Sequence, residues 1–395
     1  MNETRYALGS ANGRWVVFAA ICASSMAFID GSALNVALGA LQADLNATGA
    51  DFVWIVNAYL LMLASLILIG GALGDQWGRV RVFRIGILLF AAASVACGLA
   101  PSTGLLIIGR AVQGIGGALM VPGSLALIAA LIADNERGQA IGIWSAVTTM
   151  AGILGPVVGG VAVEQASWRW VFMLNVPFAL LALFALSRIP DAPADPNVDR
   201  RIDVWGAALI TLSLAGLTYG LVTIGESGLN AAPPTAFGAL LLGVIGLVAF
   251  VYVEATGTHP MVDLKLFRSR AFSGANAMTV FLYGALGGAL LYLPLNLTQV
   301  QGYRADLAGL MMTPTGVILA LMSPFTGRLV DRYGPRLLLT VGPLIVGAGF
   351  AALAFTGINA MPNDYWLTFF PPQLLIGIGL GITVAPLTTT VMTSV

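Results

Sequence analysis

Long apolar runs constrain this chain more than any motif does. A bilayer's hydrocarbon layer is about 30 Å thick and takes roughly 20 residues of helix to cross. Twelve runs of that order, bounded by charged or turn residues, follow one another: Trp15–Leu38, Phe52–Leu73, Val82–Ala100, Leu105–Ile128, Ala140–Val163, Trp170–Leu186, Val204–Ile224, Thr235–Val253, Phe272–Leu295, Leu307–Phe325, Leu337–Thr356 and Leu367–Thr389. With 58% hydrophobic and 9% charged residues and a mean hydropathy of +0.90, little remains for a soluble domain. The first run is of span length and lacks a small-residue cleavage signature, so it reads as a span rather than a signal peptide.

A formal charge of zero conceals an asymmetry between loops. With the N-terminus inside, fifteen of the eighteen Lys and Arg residues fall on that side, from Arg5 and Arg14 to Arg328, Arg332 and Arg336. The opposite loops hold only Arg169 and Arg304, and Arg110 lies within a span. Such a bias predicts a cytoplasmic N-terminus. Cys22 and Cys97 lie in spans, which argues against a disulfide framework. His259 is the sole histidine and makes no metal site. No GxxxxGK[ST] pattern supports ATP-driven work, and the GIGG and GIGLG phrases sit in apolar helices with no strand before them.

Charge concentrates in one phrase, GALGDQWGRVRVFR at 71–84, and a second, GRLVDRYGPR, begins at Gly327. An offset of 256 pairs Gly71 with Gly327, Leu73 with Leu329, Asp75 with Asp331 and Gly78 with Gly334. A further echo links QGIGGALMVP, ending at Pro122, with LIGIGLGITVAP, ending at Pro386. Duplication of this kind marks secondary transporters, in which two helical bundles rock about a central site. The first echo joins spans 2 and 10 and the second joins spans 4 and 12, a shift of eight rather than six. Two spans, most simply 7 and 8, are therefore inserted between the halves. The expected architecture is an all-α integral membrane protein of two bundles with two extra linker helices, with twelve spans present and the last two of fourteen missing. Residues 1–187 form the N-terminal six-helix bundle, 188–254 the cytoplasmic linker and inserted pair, and 255–395 an incomplete C-terminal bundle of four helices. The chain is expected to be a fragment of a longer protein or a truncated product.

These phrases resemble the major facilitator superfamily, and within it the fourteen-helix drug:proton antiporter branch. GALGDQWGRVRVF resembles the loop signature between helices 2 and 3, with Gln76 and Val80 where basic residues are common. LIIGRAVQGIGGALMVPGSL at 106–125 resembles the helix 4 signature with its buried arginine, here Arg110. GILGPVVGG at 152–160 is similar to the helix 5 signature of antiporters, and FIDGSALNVAL and SWRWVFMLNVP (167–177) look like the fourteen-helix branch. The resemblance implies proton-coupled export of small hydrophobic or amphipathic compounds by alternating access. It implies a monomeric, non-enzymatic protein of the cell membrane whose partners are the substrate, protons and the lipid bilayer, with no cofactor and no nucleic acid. Rival readings are an exporter of one metabolite or antibiotic and a truncated, non-transporting remnant.

Charges at membrane depth cost several kcal/mol unless they face a cavity or a partner, and two residues qualify: Asp30 in span 1 and Arg110 in span 4. Both lie toward the outer side, so they are expected to line one aqueous cavity. Burial favours the neutral form of an acid and a nearby cation its charged form, the opposition that proton exchange requires. Asp30 is the expected protonation site, and the resemblance makes Arg110 its electrostatic modulator; the plainer alternative is a fixed salt bridge between helices. Asn35 lies about 140° around the helix from Asp30 and reads as a packing or gating residue, with substrate contact as the lesser option. Gln113, three residues from Arg110, shares the Arg110 face and is, with Asn35, the candidate for the substrate cavity. In the loop phrase, Gly71 and Gly78 are expected to allow close helix approach and a tight turn. Asp75 is expected to meet the N-terminus of the next helix or an arginine across a bundle seam, as a cytoplasmic latch involving Arg79 and, in the second copy, Asp331, Gly334 and Arg336. Gly152, Gly155, Pro156, Gly159 and Gly160 are expected to form a bendable packing seam that the resemblance ties to cavity closure in antiporters. Asp191, Asp195, Asp199 and Asp203 with Arg200 and Arg201 read as a solvated hinge, and Trp168 and Trp170 as part of an interfacial aromatic belt.

Overall fold

The computed structural model describes residues 5–189, 203–257, 264–356 and 365–393. Helices α1 (Ala11–Leu45), α2 (Gly49–Trp77), α3 (Arg79–Gly98), α4 (Thr103–Leu131) and α5 (Asp134–Gln165) are followed by the short α6 (Arg169–Met173) and by α7 (Asn175–Leu186). Next come α8 (Val204–Ser227), α9 (Pro234–Thr256), α10 (Arg270–Leu295), α11 (Ala305–Tyr333), α12 (Pro335–Leu353), the short α13 (Tyr365–Thr368) and α14 (Phe370–Thr393). Among the described residues, eleven helical segments are long and apolar enough to cross a membrane, and the twelfth predicted run supplies a shorter apolar stretch, Phe370–Val384. In lipid every backbone amide must find a partner within the protein, which helices satisfy segment by segment.

Local chemistry sets the helix ends. Thr48 and Asp51 form a reciprocal capping box at the start of α2. Asp203, the hinge acid within the described residues, caps α8 by accepting from the Gly206 amide at 2.7 Å; the hinge residues 190–202, and His259, lie outside the described residues. The repeated phrases make the same kind of turn, with Gly78 at φ 96° between α2 and α3 and Gly334 at φ 72° between α11 and α12. That region suits glycine. Both echoing prolines, Pro122 and Pro386, lie inside their helices.

The predicted sixth span is broken. Pro177 has no amide proton to give to the carbonyl four residues earlier, at Met173, and α6 ends there. The interruption leaves Asn175 as the first residue of α7.

The chain groups into two compact units. One takes α1 up to Asp30, residues Leu41–Thr148, and the run from Arg169 through α9; the other takes Gly31–Ala40, Thr149–Trp168 and the helices from α10 onward. In the first, Ala19, Ala20, Ala23 and Met26 of α1 share a core with Phe83, Ile87 and Phe90 of α3, Met120 and Leu127 of α4, and Ala182 and Leu186 of α7. In the second, Leu282, Val346, Ile376 and Leu380 gather in one cluster, and Val36, Leu297, Tyr303 and Phe369 in another.

Between helices in lipid there is no water to expel, so close packing and interhelical hydrogen bonds hold them together. α4 illustrates this, since a Cβ at Gly116 would stand 2.6 Å from the Phe90 amide nitrogen and one at Gly70 would stand 2.0 Å from the Ala118 carbonyl oxygen. Pro122 deprives that carbonyl of its helical donor. The close approach expected of Gly71 thus belongs to its neighbour Gly70; a Cβ at Gly71 meets nothing within 4 Å. The tryptophans also divide: Trp170 is exposed as a belt residue would be, whereas Trp168 is 3% exposed and packs inside the protein. Gly116→Leu should cost roughly 1–3 kcal/mol or more by overpacking, read as a lower thermal midpoint of the purified protein, while Gly71→Ala should leave the midpoint unchanged.

Candidate functional site

One polar cluster is buried deep in the first unit, assembled from five helices. Asp30 projects from α1, Tyr59 from α2, Ser94 and Cys97 from α3, Arg110 and Gln113 from α4, and Asn175 from the head of α7. Asp30 and Gln113 are 0% exposed and Arg110 is 1% exposed. Arg110 Nη1 donates to Asp30 Oδ2 at 2.5 Å and to Gln113 Oε1 at 2.7 Å, and Arg110 Nε donates to the Ile55 carbonyl at 3.1 Å. Its guanidinium carbon lies 4.5 Å from the Tyr59 ring centre and 5.9 Å from that of Phe172, so the charge is also held by aromatic faces.

The other carboxylate oxygen, Asp30 Oδ1, accepts from Gln113 Nε2 at 2.8 Å and from Asn175 Nδ2 at 3.0 Å. Ser94 uses its whole capacity: it donates to the Phe172 carbonyl at 3.0 Å and accepts from Asn175 at 2.8 Å and Gln113 at 3.3 Å. Asp30 and Arg110 therefore form a direct, enclosed ion pair. The expectation that both line an aqueous cavity is replaced by the salt bridge, because the two charges are bonded to each other and to neighbouring amides and backbone rather than to solvent. The pairing of Gln113 with Arg110 follows the i+3 spacing. Asn35 stays out of the cluster, with Nδ2 bonded to the Gly31 carbonyl of its own helix at 3.2 Å.

Sequence reasoning missed Ser94, Tyr59 and Asn175. An asparagine in an apolar run just before a proline is a visible signal for the last; a tyrosine or serine in such a run carries none. A second polar group in the same unit was equally silent: Trp144 Nε1 donates to Ser24, which donates to Ser124, both at 3.0 Å, linking α5, α1 and α4.

Of the two partners expected for Asp75, the structure gives an arginine, from the start of the next helix. Asp75 lies in the last turn of α2 and accepts from Arg79 Nε at 2.9 Å, rather than from the amides of α3. Arg79 also reaches the Ala126 carbonyl on α4 at 3.4 Å. The pair is partly exposed, 37% and 40%, so it contributes little by itself. Arg336 is exposed near the start of α12; Asp331 falls in α11, and its side chain lies outside the described residues. In α5, Gly155, Pro156, Gly159 and Gly160 are buried and Gly152 is half-buried. Within the second unit a Cβ at Gly159 would stand 2.7 Å from that of Ala33, and one at Gly160 would stand 2.4 Å from the Ala305 carbonyl oxygen.

The second unit contains a neutral counterpart of the cluster. At the repeat offset of 256, Leu286 stands for Asp30, Thr315 for Tyr59 and Phe350 for Ser94. All three line one small cavity with Gln373, and Thr315 donates to the Gln373 backbone carbonyl at 3.3 Å.

Removing one partner of a buried ion pair strands the other, at a cost of about 3–5 kcal/mol. Arg110→Leu should therefore lower thermal stability strongly, and adding Asp30→Leu should restore part of the loss; additive losses in the double variant would count against a directly coupled pair.

The model of the Major Facilitator Superfamily matches residues 20–395. Puromycin resistance protein pur8 of Streptomyces alboniger is 34% identical over 376 residues, 94% of this chain and 73% of that protein. Multidrug resistance protein Stp of Mycobacterium tuberculosis is 33% identical over 377 residues, 94% of this chain and 68% of that protein. Among solved structures, a peptide transporter POT in complex with alafosfalin superposes with a TM-score of 0.70 at 16% identity, covering 97% of this chain and 82% of that one. The xylose transporter XylE from E. coli gives 0.61 at 16% identity, covering 96% and 87%. The shared helical fold, together with a sequence match that runs from α1 to the last residue, makes this a multi-pass membrane transporter rather than an enzyme: the chain belongs to the major facilitator superfamily.

Proposed function

We propose that this protein exports small hydrophobic or amphipathic compounds, antibiotics among them, in exchange for protons, by alternating access across the cell membrane. The observation that carries the reading is the Asp30–Arg110 pair: one acid and one cation, both enclosed at membrane depth, in a network with no other formal charge. A charge so placed is costly and marks an ion or proton path more often than a structural need. Relatives named for resistance to multiple drugs, to puromycin and to methylenomycin A support the substrate class, and one named for tetracenomycin C resistance and export supports the direction.

Asp30 takes up a proton when the site opens to one side and releases it on the other, with Arg110 as its charge partner between the two events. Asp75 and Arg79 act as a latch at the cytoplasmic end of α2, holding α3 to the Ala126 carbonyl of α4, and the α5 seam sets how tightly the cavity closes. A cytoplasmic N-terminus agrees with the pairing of the two cations in the opposite loops, Arg169 with Asp44 and Arg304 with Glu164 and Asp306.

Inverted vesicles containing the protein should take up ethidium or puromycin on acidification of the lumen and release protons when either compound is added. Asp30→Asn should abolish the proton signal while leaving the protein in the membrane; coupled uptake by that variant would overturn the reading. Asp75→Asn should lower turnover several-fold. Gly159→Leu should abolish export without preventing insertion. A narrower exporter, favoured by relatives each named for one antibiotic, would move one compound of a panel and leave ethidium untouched.

A further inference from the structure

The Asn175 amide is turned in a way that does not serve its own hydrogen bonding. Its Nδ2 gives one proton to Asp30 Oδ1 at 3.0 Å and one to Ser94 Oγ at 2.8 Å, while its Oδ1 is buried with no partner. A stranded carbonyl costs free energy. The orientation that strands it is the one that brings an N–H donor to the carboxylate, and Ser94, by donating to the Phe172 carbonyl, is left able only to accept from Asn175. The serine thus fixes which end of the amide faces Asp30. Pro177 contributes as well, since the break it causes after Met173 sets Asn175 at the head of α7.

We propose that Asn175, oriented by Ser94, is a positioning residue that sets the pH at which this exporter works, through its hydrogen bond to the Asp30 carboxylate. The proposal rests on the proton-coupling reading above. Donors to a carboxylate favour the charged state, and Asp30 has three: Arg110, Gln113 and Asn175. The other titratable groups facing it are Tyr59 of α2 and Cys97 of α3; α7 brings the amide and α6 the Phe172 ring, neither of which titrates. Proton uptake forms one O–H bond on Asp30, leaves Arg110 charged, and makes the Asn175 N–H on that carboxylate redundant. Loss of the amide therefore makes uptake easier and leaves release harder.

The sign follows. In Asn175→Leu the ionised acid loses a donor, so the pH midpoint of coupled transport moves upward, by about one unit or more for one hydrogen bond to a charged group. The KM for the transported probe stays within about twofold, since the amide is enclosed with Asp30 rather than facing a substrate. Ser94→Ala moves the midpoint in the same direction by less, because Asn175 keeps its bond to Asp30 but not its fixed orientation. The measurement is ethidium-driven proton release by the protein reconstituted in liposomes, across a pH series, for wild type, Asn175→Leu, Ser94→Ala and Asp30→Asn. An unchanged or lowered midpoint in Asn175→Leu, in a protein that Asp30→Asn uncouples, overturns the role of Asn175 and leaves the proton reading intact. Retained coupling in Asp30→Asn overturns the proton reading itself. Asn175→Ala, which introduces no clash, replaces the leucine variant if that is not recovered in the membrane. Loss of both, with Asp30→Asn recovered, overturns the proposal in favour of a purely architectural amide.

Discussion

The polar interior of the first bundle answers to one requirement, that a guanidinium with 1% exposure be accommodated within a nonpolar layer. Arg110 obtains a carboxylate from α1, a carbonyl from α2, an amide from its own helix and ring faces from α2 and α6. No single helix supplies these, so the charge fixes which helices must meet and in what register. The glycines of α4 let that helix approach α2 and α3 closely beside the charge: a Cβ at Gly114 would stand 2.4 Å from the Tyr59 carbonyl oxygen.

Much of this was legible in the sequence. Hydropathy marked the spans because lipid demands an unbroken apolar length, and Asp30 and Arg110 stood out because membrane depth makes charge rare. Gln113 followed from helical spacing alone. Three features escaped for identifiable reasons. Whether two intramembrane charges face water or each other depends on interhelical distances that no run of residues encodes. The inward-facing glycine of α2 is Gly70 rather than Gly71, a difference of about 100° around the helix that an apolar context leaves unmarked. Trp168 and Trp170 differ by two positions and so point to different sides of the chain, one buried and one exposed.

Duplication gave the two halves a common turn and a common interior plan without a common chemistry. Gly78 and Gly334 both hold positive φ, so the loop geometry was kept. The interior was not: where one half carries an acid, a tyrosine and a serine, the other carries Leu286, Thr315 and Phe350. The fold therefore tolerates both versions, and the charge in the first half is an addition to the architecture rather than a condition for it.

That neutral copy shows what the ion pair demands of its surroundings. A cradle made of hydrocarbon, a hydroxyl and an amide needs only that its few polar atoms find partners. A cradle holding two opposite charges needs every donor and acceptor around them placed to match, because a charge left without its partner in a nonpolar interior is far more costly than a stranded hydroxyl. Substitutions near the centre of one half are therefore tolerated by size, and near the centre of the other by size and polarity together.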